Sequence, residues 1–226
     1  MDRISAMLGL LARKRPGVLA DIGSDHALVP ILAIKKGIAE RAVAGDISPA
    51  ALDAGRKKAA KENLLGRIEF RLGDGLDVLG TGEAHAAVIA GMGGMRILGI
   101  LERGLCRLGG AAAILQPQHD AARLRRGLLG LGFRIEAEAL AQEGGRFYEL
   151  IVARAEKQAG AGYTEKELEL GRHSCPLARS FYEARLRSVA GYARLISGGA
   201  EREAAETKLR WLDEALTPPG SRATSP

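Results

Sequence analysis

Four short segments hold residues that could do chemistry, and each stands where a β-like run gives way to a helical one. The first is Ala20-Asp21-Ile22-Gly23-Ser24-Asp25-His26. In an open α/β sheet ligands bind outside the carboxyl ends of the strands, and a glycine at the turn lets a ligand approach the backbone. The segment has too few glycines for the G-x-G-x-x-G cradle of a diphosphate. It offers carboxylates instead, which would repel a diphosphate. Asp21 and Asp25 suit a ligand with an amino group and a sulfonium centre, which is S-adenosylmethionine (SAM).

The second feature is Asp46, followed by Ile47 at the end of another β-like run. A carboxylate there can accept both ribose hydroxyls of a nucleoside. Asp46 and Ser48 also precede a helix, so a capping role stands beside ribose binding. The third is Gly73-Asp74-Gly75-Leu76. An acid between glycines at this place can meet an adenine amino group, although G-D-G is a common turn as well. The fourth is Ala90-Gly91-Met92-Gly93-Gly94, whose glycines keep a loop open to a flat base or to the methyl donor. The Asn or Asp with prolines that exocyclic-amine methyltransferases carry at this place is absent, which argues for a ring nitrogen as the acceptor.

These segments need a scaffold, and the pattern around them supplies one. Strand-like runs are expected over 18–22, 41–46, 68–72, 86–90 and 111–115, the last stopped by Gln116-Pro117. Helices are expected over 27–37, 50–63, 94–104 and 120–131. Such alternation means a parallel sheet covered on both faces. The runs 133–139 and 147–153 flank Gln142-Glu143-Gly144-Gly145, a hairpin signal. Nicotinamide-binding Rossmann domains usually stay parallel, whereas methyltransferase sheets typically end in an antiparallel hairpin. The expected fold is therefore α/β, a Rossmann-like class I methyltransferase sheet over residues 1–156.

From Leu177 to Leu216 no strand signal remains. Tyr182, Leu186, Val189, Ala193 and Ile196 recur at spacings of four and three, as do Ala205, Leu209, Leu212 and Leu216. These are narrow seams of coiled-coil type, and Ser197-Gly198-Gly199 between them predicts an antiparallel helical hairpin. The hairpin either covers part of the first domain or serves as a substrate- or partner-binding arm. The expected limits are 157–217 for this domain, opened by a linker at Lys157–Gly162, and 218–226 for a Pro/Ser/Gly-rich disordered tail.

Composition narrows the class. The 226 residues carry 33 Lys/Arg against 27 Asp/Glu, and the excess lies in the first part: 22 against 17 over 1–155, but 11 against 10 over 156–226. Clusters such as Arg13-Lys14-Arg15 are compatible with a polyanionic partner or with plain solvated surface. No apolar run approaches the roughly 20 residues of a membrane span. The start of the chain shows no secretory signal, so a cytoplasmic protein is expected. Cys106 and Cys175 are far apart without a CxxC partner, and His173 with Cys175 is too sparse for a metal site. His85 and His119 are expected at the surface or as caps.

Taken together, Ala20–His26 with Pro30, Gly73–Leu76, Ile89–Gly94, Leu115-Gln116-Pro117 and Tyr148-Glu149 resemble one family. It is the bacterial tRNA adenine-N1 methyltransferase family called TrmK, which acts on adenine 22. The resemblance runs motif by motif over about residues 4–153, and the helical hairpin looks like that family's C-terminal coiled coil. The family often has Tyr where Leu28 stands, Glu where Asp46 stands and an Arg near Met7. The resemblance implies methyl transfer from SAM to N1 of an unpaired or flipped adenine. Asp21, Gly23, Ser24, Asp25, His26, Asp46, Ile47, Asp74, Gly75, Gly91, Met92 and Gly93 would hold the cofactor. Gly94, Gln116, Pro117 and the cluster Arg13, Lys14, Arg15 would meet the tRNA. Asp25, then His26, is the candidate to take the proton that the exocyclic amine loses, unless Asp25 only orients SAM. A methyltransferase for another substrate and a non-catalytic RNA-binding module are the rivals. A monomer is expected, since the two seams can satisfy each other within one chain.

Overall fold

In a computed structural model, residues 1–156 and 162–217 are described, and they divide after Gly162 into two compact units. The first holds a seven-stranded sheet. Its strands are β1 (Val18–Ile22), β2 (Arg41–Asp46), β3 (Ile68–Leu72), β4 (Ala86–Met92), β5 (Ala112–Pro117), β6 (Phe133–Glu143) and β7 (Arg146–Ala155). They are ordered β3-β2-β1-β4-β5-β7-β6. The first five run parallel, while β7 lies antiparallel to both β5 and β6. This is the expected sheet with its closing hairpin. Gly144 and Gly145 form the two-residue turn with φ of 56° and 77°, which only glycine adopts cheaply. The strand order reverses between β1 and β4, the switch point where such sheets open a crevice.

Five helices cover this sheet: α1 (Arg3–Lys14), α2 (Leu28–Lys35), α3 (Pro49–Lys61), α4 (Gly94–Leu108) and α5 (Ala121–Gly130). Two apolar clusters form the core, one on each face of the sheet. Leu11, Leu19, Ala44 and Val88 belong to one; Ile22, Ile89, Leu101 and Leu128 belong to the other. α1 has no counterpart among the helices expected from the sequence. Asp2 caps it by accepting a 2.9 Å bond from the Ser5 N–H, and Ala6, Met7, Leu10 and Leu11 bury its inner face.

A second difference concerns β4 and β5. Gln116-Pro117 was expected to stop the fifth strand, yet β5 runs through both residues. Gln116 pairs with Ala90 and Pro117 with Met92, across a register shift in β4 at Gly91. Gly91 has φ of 76°, so the bulge bends the strand end without strain and lets the ladder continue.

The second unit contains α6 (Glu165–Leu170), α7 (Ala178–Ala193) and α8 (Ala200–Leu216). Thr164 and Glu167 form a reciprocal capping box on α6. α7 and α8 pack on each other as the expected hairpin. All nine seam residues are buried or half-buried, Tyr182, Ala205 and Leu212 the most deeply. Trp211 is half-buried on α8. The linker expected at 157–162, except Gly162, and the expected tail 218–226 lie outside the described residues. Among the described residues, no helix is long and apolar enough to cross a membrane.

Candidate active site

A cleft of about 550 Å³ opens at the carboxyl ends of β1, β2 and β4. That volume falls within the roughly 300–1,000 Å³ of small-molecule sites. Its lining begins where β1 ends. The N–H groups of Gly23 and Ser24 both donate to the Gly45 carbonyl, at 2.8 and 3.1 Å, which ties the turn to β2. Gly23 has φ of 72°, and a Cβ there would lie 2.2 Å from the Met92 Cε. Conformation and space both demand glycine at that point.

Asp21 sits beneath this turn, 6% exposed, and accepts a 2.6 Å bond from the Ser24 hydroxyl. Burial pushes its pKa up to about 6; the Ser24 bond opposes the rise and the nearby Asp46 carboxylate adds to it. A cationic group entering the cleft would relieve that burial penalty. Asp25, by contrast, is exposed, with Oδ1 3.3 Å from His26 Nε2. The chain makes its bend here with two consecutive left-handed residues, His26 at φ 60° and Ala27 at φ 52°. Neither is glycine, so the bend stores backbone strain beside the cleft.

Asp46 ends β2, and its Oδ1 accepts a 2.8 Å bond from the Ser48 N–H. The capping of α3 falls to Ser48, whose Oγ accepts from the Ala51 N–H at 3.3 Å. Asp46 is not the cap and borders the cleft, with Ile47 exposed beside it. Asp74 and Gly75 line the same end, where Asp74 pairs with Arg103 at 3.1 Å.

Of the residues expected to hold a cofactor, Asp21, Gly23, Asp25, His26, Asp46, Ile47, Asp74, Gly75, Gly91 and Met92 line this one cleft. Ser24 and Gly93 do not. Ser24 acts on Asp21 from below. Gly93 serves packing: a Cβ there would lie 2.5 Å from the His119 ring, and one at Gly94 would lie 2.7 Å from the Asp120 carbonyl. Of the three loop glycines, Gly91 alone lines the cleft and has open space beside it.

The residues expected to meet the tRNA lie apart from this cleft. Gly94, Gln116 and Pro117 are buried and border no part of the cleft. Gln116 works from inside: its Oε1 accepts from the Gly91 N–H at 3.2 Å and from Arg3 Nη1 at 3.4 Å. The side chain that reaches the cleft from this strand end is Gln118. Arg13, Lys14 and Arg15 stand at the far end of α1, just ahead of the start of β1. Five strand residues, a distance of about 16 Å, separate that level from the cleft. Lys14 is moreover engaged by Glu136.

The cations that do border the cleft are Arg3, Lys58 and Arg96. Sequence reasoning passed over Arg3 and Arg96, and took Lys58 only as part of the basic cluster Arg56-Lys57-Lys58. A signal for Arg3 existed: Ile4, Met7, Leu8 and Leu11 repeat at helical spacing behind Asp2, which marks the start of a helix. Met7 and Leu28, positions where the family differs, also line the cleft. His85 accepts a 3.0 Å bond from the Val18 N–H at the opposite strand ends, and exposed His119 pairs with Asp120 at 2.8 Å. Both fit the expected capping and surface places.

The site thus has an acidic floor and a basic rim. The donor set suits a zwitterionic nucleoside ligand such as SAM: a buried carboxylate for an ammonium group, a carboxylate at the end of β2 for a ribose, and Gly23 and Gly91 for close approach.

The family model described as TrmK, tRNA (adenine(22)-N(1))-methyltransferase, matches residues 19–218. The tRNA (adenine(22)-N(1))-methyltransferase of Bacillus subtilis is 39% identical over 156 residues, which make up 68% of this chain and 66% of that relative, a little under two thirds of its length. A putative tRNA methyltransferase of Mycoplasma pneumoniae is 33% identical over 174 residues, covering 76% of this chain and 79% of that one. Among solved structures, a putative tRNA (m1A22) methyltransferase of Streptococcus pneumoniae in complex with S-adenosyl-L-methionine superposes with a TM-score of 0.82 at 29% identity, covering 96% of this chain and 100% of that one. The B. subtilis M1A22 tRNA methyltransferase TrmK gives a TM-score of 0.80 at 28% identity, covering 96% and 99%.

Proposed function

Because the chain belongs to the TrmK family of tRNA (adenine(22)-N(1))-methyltransferases, we propose that it methylates N1 of adenine 22 in tRNA with SAM as methyl donor. One observation carries the reading: the carboxylates of Asp21, Asp46 and Asp74 meet in a single cleft at the β1/β4 switch point. The similar S. pneumoniae protein was solved with that cofactor.

Bound SAM would supply a methyl group activated by its sulfonium centre. The protein's own tasks are then three. Asp21 orients the amino group, and Asp46 and Asp74 orient the ribose and adenine. The Gly91 bulge, held by Gln116, leaves room for the acceptor base beside the donor. Adenine N1 is itself a nucleophile, so most of the rate gain lies in alignment. N1 stands on the pairing edge, so the base must be unpaired or flipped out of its stack. Methylation makes the adenine cationic, and its exocyclic amine then loses a proton readily. Asp25, exposed at the cleft with His26 beside it, would receive that proton.

Residues 1–156 would carry cofactor binding and methyl transfer. The helical domain, 157–217, would act as an arm for the tRNA. The reading includes a monomer, because α7 and α8 bury their seams against each other within one chain, and a cytoplasmic setting, where tRNA is modified.

The test is methyl transfer from labelled SAM to bacterial tRNA lacking N1-methyladenosine, followed by nucleoside analysis and mapping. Label in N1-methyladenosine at position 22 is the expected result. SAM binding with no labelled tRNA nucleoside would overturn the tRNA reading and turn attention to other substrates.

A further inference from the structure

Arg3 is the first residue of α1 and lines the cleft. It lies over the Tyr148 ring, 5.3 Å from the centroid, which fixes its plane. Nη1 makes one long bond, 3.4 Å, to Gln116 Oε1. Nε is buried and has no hydrogen-bond partner, and among the described residues Arg3 forms no ion pair. A guanidinium carries five N–H donors in a planar fork that matches a carboxylate or a phosphate. Here most of that capacity is unused beside a ligand cleft.

Strand order says which end of the cleft this is. Asp46 ends β2 and Asp21 lies on β1, while the Arg3 supports, Gln116 and Tyr148, belong to β5 and β7. The guanidinium therefore stands across β4 from the ribose-side carboxylates, beside the Gly91 bulge where donor and acceptor are to meet. Gln116 Oε1 accepts from Arg3 and from the Gly91 N–H alike, so one side chain couples the cation to that loop.

We propose that Arg3 is an oxyanion-binding residue of the active site, holding an anionic oxygen pair of a bound reactant at the acceptor end of the cleft. The inference rests on the methyltransferase reading above. Two reactant groups share the required chemistry: the carboxylate of the SAM methionine moiety and the backbone phosphate of the target nucleotide. Either would satisfy the fork and neutralise a cation that otherwise sits close to a base about to become positive.

The experiment compares wild type with Arg3→Gln and Arg3→Lys. It measures the SAM Kd by calorimetry, and KM and kcat for tRNA at saturating SAM. Loss of one charge-assisted hydrogen-bonded pair is expected to weaken one affinity about tenfold or more in Arg3→Gln, with a smaller loss in Arg3→Lys, which keeps the charge without the fork. If the carboxylate is the partner, the SAM Kd rises, and decarboxylated SAM binds wild type and Arg3→Gln equally. If the phosphate is the partner, the SAM Kd stays within about twofold while KM for tRNA rises. A methylphosphonate at the target adenosine then slows wild type but not the variant. The proposal is overturned if Arg3→Gln leaves both the SAM Kd and the tRNA KM within about twofold of wild type. It is equally overturned if decarboxylated SAM and the methylphosphonate both penalise the variant as much as wild type, since Arg3 then acts only through packing. Should wild type fail to methylate tRNA, the functional reading falls, and the SAM titration with its decarboxylated analogue alone decides the role of Arg3.

Discussion

The Ser24 hydroxyl donates a 2.6 Å hydrogen bond to Asp21 Oδ2, and both side chains are shut off from water at the carboxyl end of β1. One hydrogen bond does not offset that burial, so the Asp21 pKa stands at about 6 against an ordinary 3.8. A carboxyl whose folded pKa is raised binds its proton more tightly in the folded state. Its stabilising contribution is full below about pH 4 and fades as pH rises through about 6. Above that, ionised Asp21 costs the ligand-free fold up to about 3 kcal/mol. Thermal unfolding should therefore show Asp21→Asn more stable than wild type at pH 7.5 and nearly equal to it only below the ordinary carboxyl pKa, at about pH 3.5. SAM affinity should move the opposite way. It should fall in wild type as pH drops through about 6, and Asp21→Asn should bind SAM about tenfold or more weakly at neutral pH. A variant no more stable than wild type at pH 7.5 would remove the basis for the argument.

Asp25 stands only four residues further on, yet its surroundings are opposite. Its side chain is 77% exposed and meets His26 at 3.3 Å. An exposed carboxylate gives little binding energy to a ligand amine but can take a proton from a base seated at the cleft mouth. Asp25→Ala should lower kcat by about 10²-fold or more and leave the SAM Kd within about threefold. Equal losses in kcat and SAM affinity would assign Asp25 to cofactor orientation instead.

The consecutive left-handed residues His26 and Ala27 add a third expectation. A non-glycine residue at positive φ costs about 1 kcal/mol or more. His26→Gly should relieve that cost and raise Tm by about 2–4 °C. His26→Ala keeps the strain and should not. If the imidazole serves the reaction, both variants lose activity, and His26→Gly becomes the more stable and less active protein. Equal Tm shifts in the two variants would show that backbone strain at this bend is not the cause.

The legible parts of this molecule are those where one strand end carries one kind of residue. Asp21, Asp46 and Asp74 each stand at the end of a strand-like run and before a turn, so their convergence follows from the order of a doubly wound sheet. The α7 and α8 seams were legible because their spacing of three and four is unbroken. The bulge was not. Pro117 looks like the end of a strand, and only the positive φ of Gly91, a tertiary feature, lets the ladder pass it. Gln116 was expected at the tRNA from the resemblance of Leu115-Gln116-Pro117 alone, whereas it is fully buried and bonds the Gly91 N–H and Arg3. The basic cluster 13–15 lies away from the cleft for another reason. Charge density along a chain says nothing about which end of a helix faces the site, and α1 brings Arg3, in its first turn, to the cleft while Arg13 stands at its far end.

That last contrast can be measured. Lys58 and Arg96 are exposed at the cleft, on α3 and α4, and Arg13 is exposed at the far end of α1. Cations that meet tRNA phosphates release counterions on binding, so their contribution shrinks as salt rises. Arg96→Ala and Lys58→Ala should each raise KM for tRNA several-fold at low salt. The effect should fade towards about 0.5 M salt, where the Debye length drops below about 5 Å, and the SAM Kd should not change. Arg13→Ala should leave KM within about 1.5-fold at every salt concentration if the tRNA approaches from the cleft side alone. A KM penalty for Arg13→Ala as large as that for Arg96→Ala would mean that the tRNA also wraps the opposite edge of the sheet. The cleft rim would then be only part of the docking surface.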